Sequence, residues 1–174
     1  LHQFEMAQVL SAVRKPQPSF LPAPPSMIES LSTYPEIMKY KISSIRTCWS
    51  VGKPLSEEDL QNFERKVGRK VSETYGLTEA SSLTHANPIY GKRKAGSVGL
   101  PRPDTDAKIG DAERGEKEMP PGETGELVIR GPQVMKGYWN RPEETQKALR
   151  QGWLHTGDMA RMDEDGFFYI TGKI

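Results

Sequence analysis

The sequence predicts an α/β protein: part of a parallel sheet with packed helices, followed by a small antiparallel β-barrel-like unit. Two observations carry this expectation. Through about residue 82, helical and strand-like runs alternate as helix–strand–helix–strand–helix–strand, the order that builds a parallel sheet. Beyond residue 83, Gly and Pro recur every few residues and short alternating runs replace helices. The expected division is therefore an α/β part over 1–82 and a β-rich part over 83–174.

The elements follow from local pattern. Phe4 to Lys15 sets Phe4, Met6, Val9, Leu10 and Val13 on or near one helical face, ended by Pro16 and Pro18. Ser19-Phe20-Leu21 reads as a short strand closed by Pro22. Pro24 and Pro25 suit the entry to a helix over about 26–32. Ile45 to Val51 is strand-like, and Gly52-Lys53-Pro54 turns the chain. Ser56 with Asp59 reads as a helix-capping pair, and Leu60, Phe63 and Val67 share one face of the helix it opens, which Gly68 ends. Lys70 to Thr74 is the next strand. In the second part, Val98, Asp106–Ile109, Glu126–Arg130 and Phe167–Ile170 look like strands. One helix interrupts them, with Pro142 near its start and Glu143 and Glu144 suiting its positive end. Asp163-Glu164-Asp165-Gly166 signals a hairpin turn. Trp139 and Trp153 read as packing residues of this β part.

Composition narrows the function classes. The 174 residues carry 24 basic and 23 acidic side chains, so no charge excess points to nucleic acid. No apolar run approaches the roughly 18 residues of a membrane span. Cys48 is the single cysteine, which excludes an internal disulfide and favours a reducing, cytoplasmic setting. Its neighbours Thr47 and Trp49 suggest a buried strand thiol rather than a nucleophile. Gly110 to Lys117 superficially looks like a phosphate-binding loop, but it lacks the adjacent Gly-Lys-Ser/Thr and the strand-to-helix setting that would aim N–H groups at phosphate. It reads as a solvated excursion.

The chemistry concentrates in Tyr75-Gly76-Leu77-Thr78-Glu79, at the carboxyl end of a strand, where α/β sheets bind ligands. Tyr75 supplies a flat ring, Gly76 lets backbone approach a ligand, Thr78 supplies a hydroxyl and Glu79 a carboxylate. A ring to stack on, a donor for phosphate and an acid for Mg²⁺ together suit a nucleotide. Taken alone, the run equally fits a strand-to-loop corner with a capping Thr. A second run, Gly152-Trp153-Leu154-His155-Thr156-Gly157-Asp158, lies well downstream. Between them stand Gly125-Glu126-Leu127-Val128-Ile129-Arg130-Gly131 and Gly137-Tyr138-Trp139.

In order and spacing these motifs resemble the adenylate-forming (AMP-binding) superfamily over nearly the whole chain. Thr84-His85-Ala86-Asn87-Pro88 and Phe167 to Lys173 look most like bacterial long-chain fatty-acid CoA ligases. The resemblance implies an ATP-dependent ligase that forms an acyl-adenylate from a fatty acid and passes the acyl group to CoA, with Mg²⁺ as cofactor. It implies that Tyr75 stacks on adenine with Gly76 lining the slot, that Thr78 meets the α-phosphate, that Glu79 holds Mg²⁺ and that Asp158 accepts the ribose hydroxyls. Thr78 and Glu79 are thereby the catalytic candidates. Gly52 and Lys53 fall where relatives border adenine, although Val51 and Lys53 depart from the small residues usual there. Lys173 replaces an Arg that touches ribose, keeping the charge without the planar fork.

His85 reads equally as a loop histidine or a neighbour of the acyl pocket, and His155 has no assigned role. The family's Ser/Thr/Gly-rich phosphate loop and its late catalytic Lys have no counterpart in the sequence. It therefore reads as an internal fragment of the large N-terminal domain, inactive by itself. The same resemblance admits a carrier protein as acyl acceptor, or a non-catalytic AMP-binding protein. It leaves open the acyl chain length, the oligomeric state and any peripheral membrane contact of the full protein.

Overall fold

The structure, a computed structural model, describes residues 5–14, 17–35, 37–40, 42–52, 55–111, 115 and 117–174. The chain divides into two compact units. The first comprises Leu1–Glu73 and Pro88–Gly96, the second Thr74–Asn87 and Ser97–Ile174. The division thus falls inside a strand, between Glu73 and Thr74, rather than at residue 82.

In the first unit the predicted alternation is present. Helix α1 (Met6–Arg14) turns Val9, Leu10 and Val13 inward. Strand β1 (Phe20–Ala23) runs through Pro22 instead of closing before it. As the end strand of the pairing order, β1 tolerates a residue without an N–H. Helix α2 (Pro25–Thr33) begins with Pro25 in its first turn, as expected. Strand β2 (Thr47–Ser50) pairs in parallel with β1 and with β3 (Val71–Tyr75), the registers including Leu21↔Cys48 and Cys48↔Val71. Between them, α3 (Glu57–Val67) is opened by the Ser56 hydroxyl, which accepts from the Asp59 N–H at 3.0 Å. Gly68 closes it in the left-handed conformation (φ +68°). The core contains Leu10, Ile28, Leu31, Phe63 and Val71 together with Cys48. Burial pushes the Cys48 thiol up to about 12, so it is an inert strand thiol.

The segment 88–96 completes this unit. Arg93 forms an ion pair with Glu64 and donates to the Val71 carbonyl at 2.9 Å, and the Gly96 N–H donates to Glu73 Oε2 at 3.1 Å.

The second unit begins with the end of β3, whose Thr74 and Tyr75 pair antiparallel with β4 (His85–Ala86), which in turn pairs with β5 (Leu100–Pro101). An antiparallel sheet follows, formed by β6 (Asp106–Gly110), β7 (Thr124–Arg130), β9 (Trp153–Met162) and β10 (Phe168–Lys173) in the order β10-β9-β7-β6. Helix α4 (Pro142–Ala148) and strand β8 (Leu149–Arg150) precede β9, with β8 paired to it. Ile109, Leu127, Ile129, Leu154 and Phe168 are fully buried in its core. Val98 is not in a strand; its N–H donates to the Phe168 carbonyl at 2.8 Å. Trp153 packs as expected, its ring faced by Lys108 and Arg130 at 4.9 and 4.7 Å. Trp139 does not: it is 89% exposed, on the short connection before α4. Among the described residues no helix is long and apolar enough to cross a membrane.

Candidate functional site

The site residues of the second unit are set by two irregular pieces of backbone. The first follows β3. After Tyr75 the chain passes Gly76 and Leu77 into a single 3-10 turn, Thr78–Ala80, which ends at Ser81 in the left-handed region (φ +53°). The Ala80 and Ser82 N–H groups both donate to the Leu77 carbonyl, at 3.0 and 3.1 Å. A Cβ on Gly76 would stand 1.4 Å from the Ser82 carbonyl oxygen. Gly76 is therefore required by the close approach of its own loop.

This loop is pinned from outside. The Met135 N–H donates to the Glu79 carbonyl at 2.7 Å, and Ser81 Oγ donates to the Gln133 carbonyl at 2.8 Å. The side chain of Glu79 is held as well, its Oε1 accepting from Tyr138 Oη at 2.7 Å. That hydrogen bond, with some burial, raises the Tyr138 phenol above its ordinary range, so it stays a donor. Thr78 is exposed at the first position of the turn.

The second piece is a bulge in β9. Glu126 of β7 pairs with Met159, whereas Val128 pairs with His155, so Leu127 alone faces Thr156, Gly157 and Asp158. Gly157 takes φ +68°, a conformation that suits glycine. Thr156 Oγ1 donates to the Leu127 carbonyl at 2.7 Å and accepts from the Asp158 N–H at 3.1 Å. Out of this bulge comes Asp158, only 8% exposed. Its Oδ2 accepts from Tyr75 Oη at 2.7 Å, a contact between residues 83 apart in sequence. Burial, and then the bond to Asp158, push the Tyr75 phenol far above its usual range. Lys173, opposite Asp158 in the β10 register, has its ammonium 3.5 Å from Oδ1. Its side chain is 78% exposed, so solvent screens most of that attraction.

Of the predicted residues, Tyr75, Asp158 and Lys173 are thus in direct contact, and Thr78 and Glu79 share the turn that follows Tyr75. Gly52 belongs to the first unit, with φ +97° and open space beside it. Lys53 lies outside the described residues. His85 is no loop residue. It is fully buried in β4, its ring 4.7 Å from Phe168 and 5.9 Å from Tyr75, and burial lowers it to about 3, which keeps it neutral.

Sequence reasoning missed the cluster of Glu126, His155 and Arg150, built around the buried Glu126. Glu126 Oε2 lies 2.7 Å from His155 Nδ1 and 3.4 Å from Arg150 Nη2, and its Oε1 accepts from the Gly157 N–H at 3.1 Å. The available signal was an acid inside a strand whose next three residues are all apolar. Among the described residues no three of His, Cys, Asp and Glu cluster to hold a metal ion. A single carboxylate with one oxygen engaged, as at Glu79, fits a Mg²⁺ ion carried chiefly by nucleotide phosphates.

A flat phenol, a buried acid at its hydroxyl and a second acid on the adjoining turn form a site suited to an adenine nucleotide, and the chain belongs to the AMP-binding enzyme family, whose profile matches residues 1–139. It is 49% identical, over 173 residues, to the long-chain-fatty-acid–CoA ligase of Bacillus subtilis (strain 168), covering 99% of this chain and 31% of that protein. It is 36% identical over 172 residues to the feruloyl-CoA synthase of an Amycolatopsis species, covering 98% and 34% respectively. Among solved structures it matches ATP-bound MatB from Rhodopseudomonas palustris with a TM-score of 0.89 and 33% identity, over 99% of this chain and 34% of that one. The chain spans about a third of the length of these relatives.

Proposed function

We propose that this chain is part of an ATP-dependent acyl-CoA ligase acting in the cytoplasm. The carboxylate of an acid, on this reading a long-chain fatty acid, attacks the α-phosphate of ATP and releases pyrophosphate. The thiol of CoA then attacks the acyl carbonyl and releases AMP. The two units are taken as subdomains of one AMP-binding domain. The observation that carries the reading is the 2.7 Å bond from Tyr75 to Asp158, which joins the two motifs most suited to an adenosine.

In this reading the Tyr75 ring stacks on adenine, beside a slot bordered by Gly76. Asp158 accepts from the ribose hydroxyls, charge-assisted bonds of the stronger kind. Lys173 adds positive charge at the sugar. Thr78, exposed at the start of its turn, donates to the α-phosphate. Gly52 and Lys53 retain their adenine-side assignment from the resemblance. Glu79 would hold Mg²⁺, which when bound neutralises phosphate charge. These residues orient the nucleotide and hold charge in place rather than form covalent bonds, as in phosphoryl chemistry generally.

The deciding experiment uses an enzyme of full family length that carries this sequence. With ATP, Mg²⁺ and acids of graded chain length, label should pass from pyrophosphate into ATP only when a long-chain acid is present. AMP release should then require CoA. AMP binding without any acid-dependent exchange would mark a non-catalytic nucleotide binder instead.

A further inference from the structure

We propose that Glu126 is a positioning residue for the nucleotide: its carboxylate fixes the Gly157 bulge and so sets the direction in which Asp158 presents its own. The inference rests on the reading of Asp158 as the ribose acceptor. Among the described residues four hydrogen bonds fasten the bulge: the Ile174 N–H donates to the Gly157 carbonyl at 2.9 Å, and two more come from Thr156, through the Leu127 carbonyl and the Asp158 N–H. The fourth is the Glu126 Oε1 bond to the Gly157 N–H, on the residue immediately before Asp158. Gly157 sits in the left-handed region and a Cβ there would meet nothing within 4 Å, so side-chain packing does not restrain it. Polar fastening has to do so.

The carboxylate is itself held. Glu126 is only 5% exposed, and its second oxygen is shared by His155 and Arg150. A buried acid with this many partners has little freedom to swing, so it fixes Gly157 as a rigid peg would. The cluster has no described contact with the Asp158 side chain, so it acts through the backbone. A cleft of about 680 Å³, lined in part by Glu126, His155, Arg150 and Gly157, opens on this side of the bulge. Removal of the carboxylate would therefore admit water rather than collapse an apolar core, and the variant is expected to fold.

The test measures AMP binding by calorimetry on the full-length enzyme, together with KM for ATP and for the acid. Glu126→Ala should weaken AMP by about tenfold and raise KM for ATP alike, as expected when a hydrogen bond to a charged group is lost. KM for the acid should not move. Glu126→Gln keeps an oxygen for the Gly157 N–H and should bind AMP within about threefold of the parent. On an Asp158→Ala background, Glu126→Ala should add less than about twofold, because both changes disable one contact. Fully additive losses, parent-like AMP binding in Glu126→Ala, or equal rises in both KM values would overturn the proposal while leaving the ribose assignment standing. If Asp158→Ala alone binds AMP like the parent, the ribose assignment fails and this inference falls with it.

Discussion

Asp158 is engaged within the chain itself, since Tyr75 donates to one of its oxygens and Lys173 stands near the other. Tyr75 therefore has two separable properties, a ring and a donor. Tyr75→Phe keeps the ring and should lower AMP affinity by no more than about threefold, whereas Tyr75→Ala should lose the roughly 1–3 kcal/mol of a stacked base. Equal losses in a fluorescence titration would show that the hydroxyl, not the ring, does the binding. Glu79 separates in the same way, because a Gln at 79 still accepts from Tyr138. Glu79→Gln should leave the melting temperature unchanged and shift pyrophosphate exchange to higher Mg²⁺; parent-like rates at low Mg²⁺ would remove the metal role.

The runs that carry Tyr75, Glu79 and Asp158 stand out in the sequence because motifs are short and linear. Glu126 was not, because its function is visible only once β7 and β9 are paired. The second constraint on Gly76 was not legible, since sequence cannot show that Ser82 returns over it. Trp139 was read as a packing residue, and its connection instead leaves it in solvent.

At the scale of elements, legibility followed locality. Both ends of α3 could be read from single residues, Ser56 and Gly68, because capping is settled within one turn. Ser56→Ala should cost about 1 kcal/mol, read as a lower urea midpoint with an unchanged slope. A change below a few tenths would mean that the remaining first-turn contacts hold the helix end without it. Strand β9 went unread although it is the longest strand in the sheet. Its bulge breaks the two-residue alternation midway, so that His155 and Asp158 no longer follow one period. Strand β1 outran its predicted end because Pro22 stops a central strand but not an edge one. The two-residue strands β4, β5 and β8 carry too few residues to show any period.

At the scale of the molecule, the most consequential group is Glu73, buried where β3 leaves the first unit. Burial, opposed by the Gly96 N–H and by Arg93, raises its carboxyl from 4.5 to about 7. A folded-state value above the unfolded one means that the protonated acid favours the fold. The stability it contributes is complete below about pH 4.5 and is lost as pH rises through 7. The swing is on the order of 3 kcal/mol for a shift of this size. Glu73→Gln, which cannot ionise, should therefore melt progressively above the parent between pH 4.5 and 7.5, followed by circular dichroism; a constant difference across that range would show that Glu73 does not titrate there. The switch of periodicity falls near residue 82, whereas the compact units divide between Glu73 and Thr74. No local pattern announces that 88–96 belongs with residues read before it.

That return has a consequence for how the first unit comes into being. A nascent chain that has emerged only to residue 87 holds α1, α2, α3 and all three parallel strands, yet Glu64 still lacks Arg93 and Glu73 still lacks the Gly96 N–H. Synthesis must run past residue 96, through the start of the other unit, before both contacts can close. No single cut releases the first unit whole: a truncation at 73 or 87 discards its clasp.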